Sequence, residues 1–125
     1  MSSFATRKLP DHPDVAAPDG SDVRILVGTE RGNMAHFSLA SGKTSKAIMH
    51  RTVDEVWYCV GGSGEMWRKD GEGEQVVELL EGTSLTIPVG THFQFRAGSE
   101  GLQAVGVTMP PWPGEDEAVF VEGVW

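Results

Sequence analysis

The sequence predicts an all-β domain, an antiparallel sandwich or barrel of short strands, on three observations. Runs of about five apolar-alternating residues recur at even spacing with turn residues between them. The 16 glycines are scattered at turn-like intervals with no collagen-like period. No segment carries a helical period for more than about two turns.

Residues 1–22, with Pro10, Pro13, Pro18 and Gly20, form an irregular arm lying over the domain. A first strand, Val23 to Gly28, turns at Glu30-Arg31-Gly32-Asn33. Met34 to Leu39 then alternates, with Ala35, Phe37 and Leu39 on one face and Met34, His36 and Ser38 on the other. After the polar link Ser41 to Lys46 comes a strand from Ala47 to Arg51. Gly61-Gly62-Ser63-Gly64 reads as the turn of a hairpin between Glu55–Val60 and Glu65–Lys69. Asp70 to Glu74 is a charged turn before Val76–Leu80, and Glu81-Gly82 turns into Leu85–Ile87. Thr91–Arg96 and Leu102–Met109 pair across Ala97–Gly101. A Pro-rich coda follows, with Trp112 as a cover over an edge or pocket and Phe120, Val121, Val124 and Trp125 as apolar anchors. The organisation is therefore an arm (1–22), a barrel (23–109) and a C-terminal segment (110–125) that packs on the barrel or on a partner subunit.

The chain has 125 residues, enough for one hydrophobic core. Eighteen Asp and Glu against 10 Lys and Arg give a formal net charge of -8, with the basic residues dispersed. Nucleic-acid and anionic-membrane partners are not expected on that balance. No apolar run suits a secretory signal or a membrane helix, and Cys59 is the single cysteine, so no intrachain disulfide forms. These features predict a cytoplasmic protein, with Cys59 a small buried filler in the apolar stretch VWYCV.

The stretch GKTSKAIMHRTVDEVWYCVGG and, some twenty residues on, GTSLTIPVGTHFQFRA resemble the two motifs of the cupin superfamily. The first family motif runs Gly, five residues, His, one residue, His, three or four residues, Glu, six residues, Gly. Gly42, His50, Glu55 and Gly62 fall in place, while Ile48 stands where the first His belongs. The second runs Gly, five residues, Pro, one residue, Gly, two residues, His, three residues, Asn. Gly82, Pro88 and Gly90 match, but Phe93 occupies the His position and Ala97 the Asn position, and His92 lies one residue early. The resemblance spans about Gly42 to Ala97. It implies a double-stranded β-helix, or jelly-roll barrel, around a pocket for a small organic metabolite, and a homodimer is expected as in many small cupins. It does not imply one activity, because the superfamily hosts many.

In the complete pattern three His and a Glu converge on a divalent metal, and Ile48 and Phe93 remove two of those donors. Binding of Zn, Fe, Mn or Ni would need a remodelled set of His36, His50, Glu55 and His92. His92 would enter through a one-residue slip near Gly90. Without metal, His50 and Glu55 retain acid–base capacity for isomerase, epimerase or lyase chemistry. If Glu55 points inward, Trp57 and Cys59 follow it. With His36, Trp67, Phe93 and Phe95 they would line an aromatic pocket, and Arg51 and Arg96 are candidates to clamp an anionic ligand. Tyr58 and Val60, on the opposite strand face, would pack between sheets or against a subunit, and Met66 is a packing residue. Three uses of such a site stay open: proton-transfer catalysis, ligand binding or sensing without turnover, and metal-dependent oxygenase or isomerase chemistry.

Overall fold

Two long antiparallel strands form the backbone of the molecule, as a computed structural model that describes residues 4–125 shows; the first three residues of the arm lie outside the described ones. The strands are β1 (Val15–Ala16), β2 (Asp22–Thr29), β3 (Gly32–Leu39), β4 (Ile48–His50), β5 (Asp54–Asp70), β6 (Gly73–Leu80), β7 (Ser84–Ile87), β8 (His92–Met109) and β9 (Ala118–Phe120). β5 and β8 pair along almost their whole length, from Asp54↔Met109 to Lys69↔His92. On its other edge β5 pairs first with β7 and then with β6, while β8 pairs with β4 and then with β3. The sheet runs β1-β2-β3-β8-β4-β9 and curls through β5, β6 and β7 around one core. Among the described residues there is no α-helix, only a 3-10 turn at Glu115–Glu117.

Two expected hairpins are instead continuous strands. The Gly61–Gly64 stretch does not reverse the chain, because both halves of β5 face the same partner strand and the glycines absorb register shifts between Cys59 and Gly61 and between Gly62 and Gly64. Ala97–Gly101 likewise lies within β8. The first shift decides the site. Cys59 is opposite Ala104, yet Gly61 is opposite Gln103, so Val60 is an extra residue on β5. Inward positions are therefore odd up to Cys59 and even beyond it, since an unpaired residue exchanges the two faces of a strand.

The core contains Leu39, Ile48, Trp57, Cys59, Met66, Leu79, Ile87, Phe93 and Phe95. Ala35 and Leu39 are buried as the alternation of β3 requires, and Phe37 packs against the core from the same face. Tyr58 and Val60 pack against no second sheet and are exposed on the outer face. The arm is held by its backbone: Arg24 donates to the Pro10 and Asp11 carbonyls, and the Asp14 carboxylate accepts the Ile25 amide. Of the four expected C-terminal anchors, Val121 and Trp125 are half-buried, Trp125 lying against Arg96, while Phe120 and Val124 are exposed. The buried Gln94 amide adds the polar tie, accepting from the backbone N–H of Val124 and Trp125 and donating to the Trp125 carbonyl.

Candidate functional site

His50 ends β4 and Glu55 is the second residue of β5, so the short turn between them brings both side chains to the same end of the barrel interior. Nδ1 of His50 lies 3.6 Å from Oε1 of Glu55, and both residues are 3% exposed. Glu117 holds the turn in shape: its carboxylate accepts the backbone N–H of Thr52 (2.6 Å) and Val53 (2.9 Å) and the Thr52 hydroxyl. Burial alone would raise the Glu117 carboxyl, but these hydrogen bonds hold it below the usual range. The walls are aromatic. His50 meets Phe93 edge-on at 5.1 Å, Phe37 stacks on Trp57 at 5.4 Å, and Trp57 meets Phe95 edge-on at 5.0 Å.

Burial pushes the Glu55 carboxyl up to about 8 and the His50 imidazole down to about 4. Near neutral pH the pair is therefore a carboxylic acid beside an uncharged imidazole, and the 3.6 Å contact is not an ion pair. Three buried polar atoms here lack a hydrogen bond of good geometry, His50 Nδ1, Glu55 Oε2 and Trp57 Nε1, although the Trp57 N–H is close enough to the Glu55 carboxyl to favour its charged form. Each such group costs about 1–3 kcal/mol.

Trp57, Cys59, Phe93 and Phe95 all face inward as expected. Burial pushes the Cys59 thiol up, which fits a filler and not a nucleophile. His36 is on the other face of the sheet. It neighbours Phe37, whose ring is inside, and although turned away from the core it is buried, with its Nε2 meeting Gln103 Oε1 at 3.2 Å. His92 also faces outward, because no slip follows Gly90: Phe93 pairs with Ile48 and fills the core, and alternation turns its neighbour away. Trp67 is not a pocket residue either. The bulge at Val60 gives the inward position to Met66, and Trp67 lies outside the core cluster with its indole N–H donating to Glu74 at 2.7 Å. Arg96 is held outside by Glu65 at 2.8 Å and by the Trp125 ring, and Arg51 is exposed.

The remodelled metal set is thus not assembled. Among the described residues no three His, Cys, Asp or Glu side chains converge. His50 and Glu55 remain as two donors against a wall of Ile48 and Phe93, which does not fit the three or four donors that a divalent transition metal takes.

Trp112 lies on His50. Its ring meets His50 edge-on at 5.1 Å, and its backbone N–H donates to Asn33 Oδ1 at 2.6 Å, which also accepts the Thr108 hydroxyl. The Pro-rich segment is thereby tied to β3 at one end and through Glu117 to the Thr52 turn at the other. Trp112→Ala is expected to raise the rate at which diethyl pyrocarbonate modifies His50 by on the order of tenfold, since removing the half-buried ring that lies on the imidazole opens that side of His50 to reagent. Mass analysis of the peptide carrying His50 reads it, and an unchanged rate would show that Trp112 is no cover.

No family model matches the chain. It is 30% identical over 115 residues to the xanthan biosynthesis protein XanB of Xanthomonas campestris, covering 91% of this chain and 24% of that one. The chain spans about a quarter of the length of the curated relatives it matches. Among solved structures, oxalate decarboxylase from Bacillus subtilis superposes with a TM-score of 0.82 at 17% identity, over 97% of this chain and 33% of that chain. A Streptomyces protein, PAC13, solved with uridine, superposes with a TM-score of 0.72 at 14% identity, over 100% and 95% of the two chains. The chain is a cupin-type double-stranded β-helix.

The motif glycines now have a structural cause. Gly42, Gly62, Gly82 and Gly90 all adopt positive φ, between 70° and 93°, so the cupin framework survives as backbone geometry although two ligand positions have become apolar. Two residues of this cupin escaped sequence reading. Glu117 carries a signal only as an acid three residues beyond Gly114 in a Pro-rich coda, and nothing in the sequence links it to Thr52. Arg68 was hidden by the bulge, which turns it to the same face as Met66.

Proposed function

We propose that this cupin barrel binds a small organic metabolite at His50 and Glu55 and transfers a proton on it, as an isomerase, epimerase or lyase. The observation that carries the reading is the neutral acid–base pair together with three buried polar atoms that lack a hydrogen bond of good geometry. Uncharged His50 accepts a proton from a carbon or hydroxyl of the ligand, while the Glu55 carboxyl supplies one to the oxygen where negative charge develops. Trp57 Nε1 is a further donor for that oxygen, and Trp112 and Phe93 keep water from the exchange. The pair needs no third partner to hold these protonation states, because burial sets both. Oxalate decarboxylase is named for action on a small carboxylate, and the Streptomyces structure contains a nucleoside, so both of these structural neighbours are associated with small molecules.

The test is deuterium incorporation from heavy water into a panel of small keto acids, hydroxy acids and nucleosides, followed by NMR. Wild type is expected to label at least one of them, and His50→Gln or Glu55→Gln to slow that labelling by roughly 10²- to 10⁴-fold. Equal labelling by wild type and the doubly substituted protein would refute the catalytic roles. Saturable binding without labelling would favour a sensing module.

A further inference from the structure

We infer that Arg68 anchors a carboxylate group of the metabolite, in a concavity at the end of the barrel where β5 and β6 meet. The inference deepens the proposed function and rests on it for the identity of the neighbouring site, but not for the anion-binding chemistry.

Beyond the bulge at Val60, inward positions on β5 are even. Met66 is fully buried in the core, and Arg68 follows it on the same face. The register places Gln75 of β6, Arg68 of β5, Phe93 of β8 and Ile48 of β4 side by side across this inner face. Phe93 is the ring on which His50 packs, so one aromatic side chain separates the arginine from the acid–base pair.

The guanidinium is oriented but not neutralised. Its Nη1 donates to the Thr86 carbonyl at 2.7 Å, which fixes the plane, and its Nη2 has a long 3.3 Å contact to Gln75 Oε1. Nε is buried with no hydrogen-bond partner. Among the described residues no carboxylate forms a salt bridge with it. The guanidinium therefore meets a carboxylate from its Nη side, displacing the long Gln75 contact, because Nε is closed off by the protein. It borders a concavity of about 440 Å³ lined also by Lys69, Thr86, Pro88 and Thr91. Three acidic residues share this lining: Glu74 accepts the Trp67 indole N–H, Asp70 accepts the Glu72 amide within its own turn, and Glu72 is exposed on the turn between β5 and β6. Arg51 and Arg96, the two arginines that sequence position favours, are on the outside.

The experiment uses malonate as probe and malonamide as its uncharged counterpart, with the arginine Nε–H signals of labelled protein read by NMR. Malonate is expected to shift the Arg68 signal saturably and malonamide to leave it in place. Arg68→Gln should weaken malonate binding on the order of tenfold or more, and Arg68→Lys, which keeps the charge without the fork, should weaken it less. Arg96→Gln should change nothing. Thermal unfolding of both Arg68 variants separates a lost site from a lost fold, and the lysine variant carries the test if the glutamine variant is unfolded. Equal binding of malonate and malonamide, or unchanged malonate affinity in a folded Arg68 variant, would overturn the subsite. Repeating the titration in Glu55→Gln distinguishes the two readings: malonate binding retained there while labelling is lost supports both, and binding that ignores Arg68 while labelling still depends on Glu55 removes only the subsite.

Discussion

Gly62→Ala is expected to destabilise the protein by about 3 kcal/mol or more, because the left-handed backbone is costly for any side chain and the new atom has no room. Gly62 has φ 70°, and a Cβ there would land on the Gly101 carbonyl and crowd the Leu102 backbone across β8. Neither neighbour can yield cheaply, since both belong to the strand that β5 pairs with throughout. A shift of the urea midpoint measures the loss, and Gly71→Ala is the reference: Gly71 is exposed, a Cβ added there would meet no atom within 4 Å, and the variant is expected to stay within about 0.5 kcal/mol of wild type. Comparable midpoints for the two variants would show that the bulge tolerates rearrangement. The consequence reaches the site, because the same glycine-rich stretch turns Met66 and Arg68 inward.

Glu55→Gln is expected to reshape the dependence of stability on pH. The folded carboxyl titrates at about 8 against an ordinary value of 4.5, so between those limits the folded state keeps a proton that the unfolded chain has released. Stability from this group is complete below 4.5 and is lost as pH rises to 8. His50 acts in the opposite sense. Its folded value of about 4 against 6.5 means that stability is lost as pH falls through that window. Between 4.5 and 6.5 the two slopes cancel, which leaves wild type losing about 2 kcal/mol between pH 6.5 and 8 from Glu55 alone. In Glu55→Gln the decline above 6.5 disappears, and the His50 loss below 6.5 becomes visible. Denaturation midpoints of both proteins from about pH 4 to 8 measure this, and parallel curves would mean that Glu55 is ionised in the folded state.

Much of the fold was legible because it is written in local chemistry. Turn glycines, Pro88 and period-two alternation mark the strand positions, and the inward facing of Trp57 and Cys59 follows from Glu55 by alternation alone. The hairpin expected at Gly61–Gly64 fails for a physical reason: glycine permits a turn and a bulge equally well, and only the partner strand selects between them. That one choice gave the inward position to Met66 in place of Trp67 and put Arg68 on the same strand face as Met66. His92 shows the same limit, since the sequence allows a slip after Gly90 and the packing of Phe93 against Ile48 and His50 forbids it.

The candidate pair itself divides in the same way. From the sequence alone come His50 and Glu55 as surviving polar positions, Ile48 and Phe93 as apolar replacements at two ligand positions, and the glycine framework of a cupin barrel. Tertiary structure decided that His36 and His92 face away from the core, that Trp112 lies on His50, and that Glu117 pins the turn between the two functional strands. It also decided the protonation states, because burial acts on a charge through everything that surrounds it, and no spacing of residues along a chain records how completely water will be excluded.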